Sequence, residues 1–208
     1  MNNLKIALLI LCVGGAVGLS IFAFRQSGNI ITAGEKEEFA PKILKPEVRD
    51  NEPDSKTVDY SLMDQDGKSV KLYSDLLKDK IVVMNFIFTN CKVVCDAQGK
   101  NFSKLQSKLG SRLKNQINLI SLSKDPLNDT PVKLKQWGTK YDRQNGWTLL
   151  TGEKSEIDKT FLAFTGGTPL VIEHSAIMLI GNANKNQWIR LSGLEPIDEV
   201  EKLIEQVR

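Results

Sequence analysis

Three residues of this chain have the side-chain types of a site for a soft metal ion. Cys91 and Cys95 lie four positions apart, directly after the apolar run 81–88, and His174 is the only histidine among 208 residues. Two thiolates and one imidazole form a ligand set suited to copper or zinc. Two cysteines in an exported domain can also form a disulfide or a redox pair. The residue types alone therefore leave a metal site and a thiol centre open.

The elements around these residues have to bring them together. The run 81–88 is apolar almost throughout, which predicts a strand buried on both faces, and a second apolar run follows the histidine. In an open α/β sheet, functional loops converge at strand ends. After the cysteines, Phe102, Leu105 and Leu109 recur at helical spacing. We therefore expect Cys91 at a strand-to-helix junction, where backbone N–H groups at the helix N-terminus stabilise a thiolate.

The remainder of the chain after residue 56 alternates strand and helix patterns. The Asp66-Gly67 pair predicts a hairpin over 60–72, and 117–122 predicts another buried strand. Helices with one apolar face follow, and the last of them closes the chain. The tryptophans are interpreted as core residues: Trp137, Trp147 and Trp188. This order of elements predicts an α/β fold, a thioredoxin-like three-layer sandwich with an added N-terminal hairpin.

Asp125 and Asp129 lie in the loop that precedes one of these helices. They can contact the site or a partner, but Asp129-Thr130-Pro131 is also a typical helix start, with a capping side chain and a proline in the first turn. We therefore interpret Asp129 and Thr130 as a turn followed by a helix cap.

The N-terminus has a different composition. Residues 6–24 carry no charge and are bracketed by Lys5 and Arg25, and such a run is long enough to span a bilayer. Small residues in a cleavage pattern are lacking, so we predict an uncleaved single transmembrane anchor over 1–28. Residues 29–55 contain three prolines and no sustained apolar period, which predicts a linker, although a segment packed on the domain is an alternative.

The domain organisation predicted is thus an anchor over 1–28, a linker over 29–55 and a thioredoxin-like domain over 56–208. The charge flanking the anchor slightly favours a cytoplasmic N-terminus, which places the domain in the periplasm or outside the cell. The net charge is only +3 and the lysines are dispersed among acidic residues. Without a basic stripe, nucleic-acid binding is not expected.

Three separate motifs make the sequence resemble the Sco/SenC family. Residues 86–95 resemble the copper-site motif F-x-F-T-x-C-x-x-x-C of that family. Residues 121–131 resemble its second signature, an Asp-Pro followed by Asp-Thr-Pro, and residues 173–175 resemble its Asp-His-Ser segment. The motifs occur in the family's order, and the resemblance extends over about 56–207.

The resemblance implies a thioredoxin-fold domain that binds one copper ion through Cys91, Cys95 and His174, with the two cysteines as a redox-active pair. It further implies a role in building the copper centre of cytochrome c oxidase, by delivering copper or by keeping the cysteines of that centre reduced. The implied partner is the copper-centre subunit of the oxidase or a similar cuproprotein.

The sequence also departs from the family pattern. Lys92 and Asp96 stand where many members have prolines, and Glu173 replaces the commoner aspartate. An alternative function is that of a metal-independent thiol–disulfide oxidoreductase of the cell envelope, in which Cys91 attacks and Cys95 resolves. The three residues between the cysteines, compared with two in thioredoxins, enlarge the loop and suit two sulfurs placed around an ion.

Overall fold

A mixed eight-stranded sheet is the centre of the computed structural model, which describes residues 47–49, 59–167 and 176–208. The strands are β1 (Glu47–Arg49), β2 (Ser61–Asp64), β3 (Ser69–Lys71), β4 (Ile81–Ile87), β5 (Ile117–Ser123), β6 (Trp147–Thr151), β7 (Met178–Asn182) and β8 (Gln187–Leu191). The helices are α1 (Val94–Leu109), α2 (Pro131–Thr139), α3 (Lys154–Thr165) and α4 (Ile197–Gln206). The order across the sheet is β1-β8-β7-β4-β5-β6-β2-β3.

Three parallel strands lie in the middle of this sheet. β4 pairs with β5 and β5 with β6 in parallel, whereas β7 runs antiparallel to β4. Every residue of β4 and β5 is buried, which confirms the two buried strands predicted from their apolar runs. Since β4 and β5 are parallel neighbours, their carboxyl ends and the loops that follow lie side by side.

Helices cover both faces of the sheet, so the predicted three-layer arrangement is confirmed. Alternate residues of β4 point to opposite faces because strand side chains have a period of two. Val83 and Ile87 pack in the core beneath α1, α2 and α4. Met84 and Phe86 pack in the core on the other face, beneath α3 and a π-helical turn over Leu72–Leu77.

The predicted N-terminal hairpin is confirmed as β2 and β3, which pair antiparallel. Gly67 adopts φ 78° in the turn, a conformation that glycine takes without steric cost. The hairpin extends the sheet because β2 pairs with β6.

Two strands were not expected from the sequence. β6 is only five residues long and begins at Trp147. The prediction of Trp147 as a core residue is confirmed, since its exposure is 0%. β1 lies inside the segment interpreted as a linker and pairs with β8. The apolar run that follows the histidine, residues 175–180, predicts a strand there, and in the structure that strand begins at Met178 and continues to Asn182. Short strands carry little periodicity of their own, so pairing decides their position.

Three sequence predictions fall wholly or largely on residues outside the described ranges. They are the membrane anchor over 1–28, the linker over 29–55 apart from residues 47–49, and His174. Within the described ranges, none of the helices combines the length and the apolar character needed to cross a membrane.

Candidate copper and thiol site

The two cysteines lie where β4 passes into α1. The backbone N–H of Cys91 donates to the carbonyl of Phe88 at 3.1 Å, which closes a turn directly after the strand. α1 begins at Val94, and Val93 at its N-cap has no polar side chain to accept from the first helical N–H groups. Cys91 Sγ accepts from the N–H of Cys95 at 3.3 Å instead. A sulfur therefore takes the place of a capping oxygen, as expected for a strand-to-helix junction.

This position makes Cys91 the more acidic of the two thiols. Cys91 is partly exposed and forms no disulfide. Its burial raises the pKa, but hydrogen bonds from the Cys95 thiol and from the N–H groups of Cys95, Val93 and Val94 outweigh this and lower the pKa below the ordinary value. The thiolate of Cys91 is thus the form that the helix N-terminus stabilises.

Cys95 has the opposite character. It is 1% exposed and belongs to the core on the α1 side of the sheet. Burial, reinforced by the hydrogen bond to Cys91, raises the pKa of Cys95 to about 12. The positive charge of Lys124 acts against this rise. An unequal pair of this kind provides one ready thiolate and one protonated thiol that becomes a thiolate ligand once a cation approaches.

Lys124 reaches the site from the end of the neighbouring strand. Its backbone N–H donates to the carbonyl of Ile87 at 2.7 Å, which continues the β4–β5 pairing beyond the strand ends. Its Nζ lies 5.2 Å from the ring centroid of Phe88, a cation–π distance. A lysine therefore contributes positive charge near the cysteines.

The predicted turn followed by a helix cap is confirmed, but it does not account for the side chain of Asp129. Thr130 caps α2, since its Oγ1 accepts from the N–H of Lys133. The carboxylate of Asp129 is 1% exposed and accepts from Thr89, which lies two positions before Cys91. Thr89 belongs to the motif 86–95 and Asp129 to the motif 121–131. Their presence in these two separate motifs is the sequence signal that could have revealed the link.

Asp96, a departure from the family pattern, is built into the structure. Its carboxylate accepts from the phenol of Tyr141 at 2.7 Å and forms an ion pair with Lys100, also at 2.7 Å. Gly99 makes room for the phenol, because a Cβ there would lie 2.6 Å from the Tyr141 ring. Burial, followed by the hydrogen bond to Asp96, raises the pKa of Tyr141, which keeps the phenol protonated as a donor.

The structure thus brings Cys91 and Cys95 together, while His174 lies outside the described residues. Within 59–167 and 176–208, no three His, Cys, Asp or Glu side chains form a cluster that could hold a metal ion. The described part of the candidate site therefore consists of the two thiols. Two sulfur donors, one of them already favouring the thiolate form, fit the preference of Cu(I) for soft ligands.

The difference between the two thiols predicts a pH-dependent reactivity. Cys91 should still be alkylated by iodoacetamide below pH 8.5, the approximate pKa of a free cysteine, because its pKa is lowered and only the thiolate reacts. Its rate should fall about tenfold per pH unit once the pH drops below its lowered pKa. Cys95 should stay unreactive through this range because its pKa is raised. Peptide mass spectrometry of the reduced protein measures both rates, and equal labelling of the two cysteines would contradict the assignment.

Comparison with known proteins identifies relatives of this chain. The family model SCO1/SenC matches residues 48–208. The SCO1 protein homolog of Bacillus subtilis is 36% identical over 135 residues, which cover 61% of this chain and 68% of that protein.

Solved structures extend the comparison. BsSco, a member of the Sco family of cytochrome c oxidase assembly proteins, matches with 29% identity and a TM-score of 0.58, covering 71% of this chain and 90% of that chain. ScoI of Bradyrhizobium japonicum, solved with copper bound, has the same fold, with 21% identity, a TM-score of 0.57 and coverage of 72% and 97%. The predicted thioredoxin-like fold is confirmed, and the chain belongs to the SCO1/SenC family.

Proposed function

We propose that this protein is a membrane-anchored copper metallochaperone that assists assembly of the copper centre of cytochrome c oxidase. The observation that carries the proposal is the pair of unbridged thiols at one helix N-terminus, Cys91 and Cys95. Membership of the SCO1/SenC family supports the same function, since the Sco family assembles cytochrome c oxidase.

One copper ion is the proposed cargo. Cys91 and Cys95 would supply two thiolates and His174 an imidazole, a set that accommodates Cu(I) through sulfur and Cu(II) with the help of nitrogen. Solved copper-bound forms of ScoI from Bradyrhizobium japonicum and of yeast Sco1 support copper as the ion. Release to a client requires a site that opens, and the partial exposure of Cys91 gives another thiolate an approach to the ion.

The anchor and the location are part of the proposal. The uncharged run 6–24 supports a single membrane-spanning segment, with the domain facing the periplasm or the exterior. A tether over 29–55 would hold the domain near the membrane-bound oxidase, which raises its effective concentration at the client.

A copper titration followed by a transfer assay tests this function. The full chain, purified in detergent and reduced, should bind one Cu(I) in competition with a chromogenic chelator. It should then pass the ion to the apo form of an oxidase copper-centre subunit. The matched control is Cys12→Ser, which removes the third cysteine of the chain and should change neither result. Failure of the reduced protein to retain Cu(I) would overturn the proposal.

A second candidate function is thiol–disulfide exchange, favoured by the unequal thiols. The Cys91 thiolate would attack a client disulfide, form a mixed disulfide and release one client thiolate. Cys95, losing its proton, would then attack Cys91 Sγ and release the second client thiolate. The two electrons pass to the client, and this chain ends as a Cys91–Cys95 disulfide.

A further inference from the structure

We propose that Asp129 is a positioning residue that holds the Cys91 loop in place through Thr89. Both carboxylate oxygens of Asp129 lie 3.2 Å from the N–H of Thr89, and Oδ1 accepts from Thr89 Oγ1 at 2.6 Å. Oδ2 accepts from Ser123 Oγ at 2.6 Å. One buried carboxylate therefore joins the segment after β4 to the end of β5.

The burial of this carboxylate gives the link its strength. Asp129 is 1% exposed, and a charge removed from water is tolerated only where hydrogen bonds or opposite charges replace its hydration. The described donors are one N–H and two hydroxyls, all at the ends of two parallel strands. Hydrogen bonds to an ionised acceptor are roughly twice as strong as neutral ones. Displacement of Thr89 would leave the carboxylate short of partners.

Thr89 transmits this constraint to the sulfur. It follows Phe88, whose carbonyl accepts from the N–H of Cys91 at 3.1 Å, so fixing Thr89 fixes the turn that carries Cys91. With the turn held in this position, Cys91 Sγ lies 3.3 Å from the backbone nitrogen of Cys95. The position of Cys91 Sγ against the N–H of Cys95 therefore depends on a residue from the neighbouring loop.

The same carboxylate also orders the loop that carries Lys124. Ser123 Oγ, which donates to Asp129, accepts from the N–H of Asp125 at 3.0 Å, and the N–H of Asp129 donates to the carbonyl of Asp125 at 2.8 Å. Lys124 lies between these contacts. Asp129 thus holds both the turn after β4 that carries Cys91 and the loop after β5 that carries Lys124.

Helix capping does not explain the residue. The α2 N-cap is Thr130, and its own side chain makes the capping bond. The two side-chain oxygens of Asp129 accept from Thr89 and from Ser123, whereas an asparagine has only one oxygen and could not accept from both. The hydrogen bonds of Asp129 to Thr89, two positions before Cys91, are of the kind by which a residue orients a metal ligand from outside the ligand set.

Four variants of the full chain test the proposal: Asp129→Asn, Thr89→Val, Thr89→Ser and Thr130→Val. Asp129→Asn and Thr89→Val should slow Cys91 alkylation at neutral pH and make the Cys91–Cys95 disulfide harder to reduce with glutathione, because the reduced form loses its stabilised thiolate. Thr89→Ser should keep both properties, since it retains the hydroxyl. Thr130→Val should lower thermal stability through the lost cap while leaving the thiols unchanged.

The effect on copper rests on the proposed function, but the effect on the thiols does not. Asp129→Asn and Thr89→Val should weaken copper binding about tenfold or more, as for other residues that orient metal ligands. If wild-type protein binds no copper, the proposed function fails while the alkylation and glutathione measurements still decide the role of Asp129. Wild-type thiol reactivity and glutathione equilibrium in Thr89→Val would overturn the inference. If Asp129→Asn fails to fold, Thr89→Val, which loses one hydroxyl, still decides between the outcomes.

Discussion

Cys95→Ser is expected to weaken Cu(I) binding by more than about 100-fold. Residues that orient ligands already cost about 10- to 100-fold when replaced, and loss of a thiolate ligand should cost more. Serine removes the soft donor while keeping nearly the same size, so the core beneath α1, to which Cys95 belongs, should stay packed. Chelator competition with the reduced full chain measures the loss.

The same variant separates the two candidate functions. If Cys91 also attacks client disulfides, Cys95→Ser lacks the resolving thiol and should accumulate a mixed disulfide visible on a non-reducing gel. Cys91→Ser is the matched control, because it should bind copper as poorly but trap no client. Tight Cu(I) binding retained in Cys95→Ser would contradict its place as a ligand, and trapping without copper binding in the wild type would favour the oxidoreductase.

His174→Ala is expected to distinguish the two oxidation states of copper. Cu(II) retention should fall by about 100-fold or more, because the imidazole supplies the nitrogen that Cu(II) favours. Cu(I) affinity should fall far less, since both thiolates remain. Equilibrium dialysis for Cu(II) and chelator competition for Cu(I) give the two values.

A spectroscopic control is available because the chain has a single histidine. In protein without a histidine tag, electron paramagnetic resonance of the Cu(II) form should show nitrogen coupling from one imidazole, and His174→Ala should lose it. Ser175→Ala, a change beside the histidine in the same motif, should retain both the coupling and the affinity. Unchanged Cu(II) retention in His174→Ala would refute the three-ligand site.

The two departures from the family pattern nearest the cysteines have different surroundings in the structure. Lys92 is exposed in the loop between β4 and α1. Asp96 instead accepts a hydrogen bond from Tyr141 and forms an ion pair with Lys100. The bond to Tyr141 connects the first turn of α1 to the residues directly after α2. Two residues therefore accommodate this replacement. The phenol of Tyr141, far along the sequence, binds the carboxylate, and Gly99, one helical turn away, leaves room for the phenol ring.

Much of the fold could be predicted because its elements have strong local patterns. The all-apolar run of β4 and the heptad-like spacing of Phe102, Leu105 and Leu109 each indicate one kind of element. The strands β1 and β6 could not be predicted, since three and five residues hold too little periodicity and their place depends on the partners β8 and β5. Contacts across the sheet overrode what local pattern indicated.

By itself the sequence determined the family, the order of the elements and the two thiols as the centre of any chemistry. Short motifs carry this information because the types and spacing of their residues limit the chemistry that the side chains can do. Only the tertiary structure decided that Cys91 and Cys95 are unequal and that Asp129 serves the Cys91 loop rather than α2. The raised pKa of Cys95 depends on its burial in the assembled core, and the lowered pKa of Cys91 on N–H groups that are brought to its sulfur where β4 passes into α1. The bond between Asp129 and Thr89 joins residues 40 positions apart and forms only when β4 and β5 lie side by side.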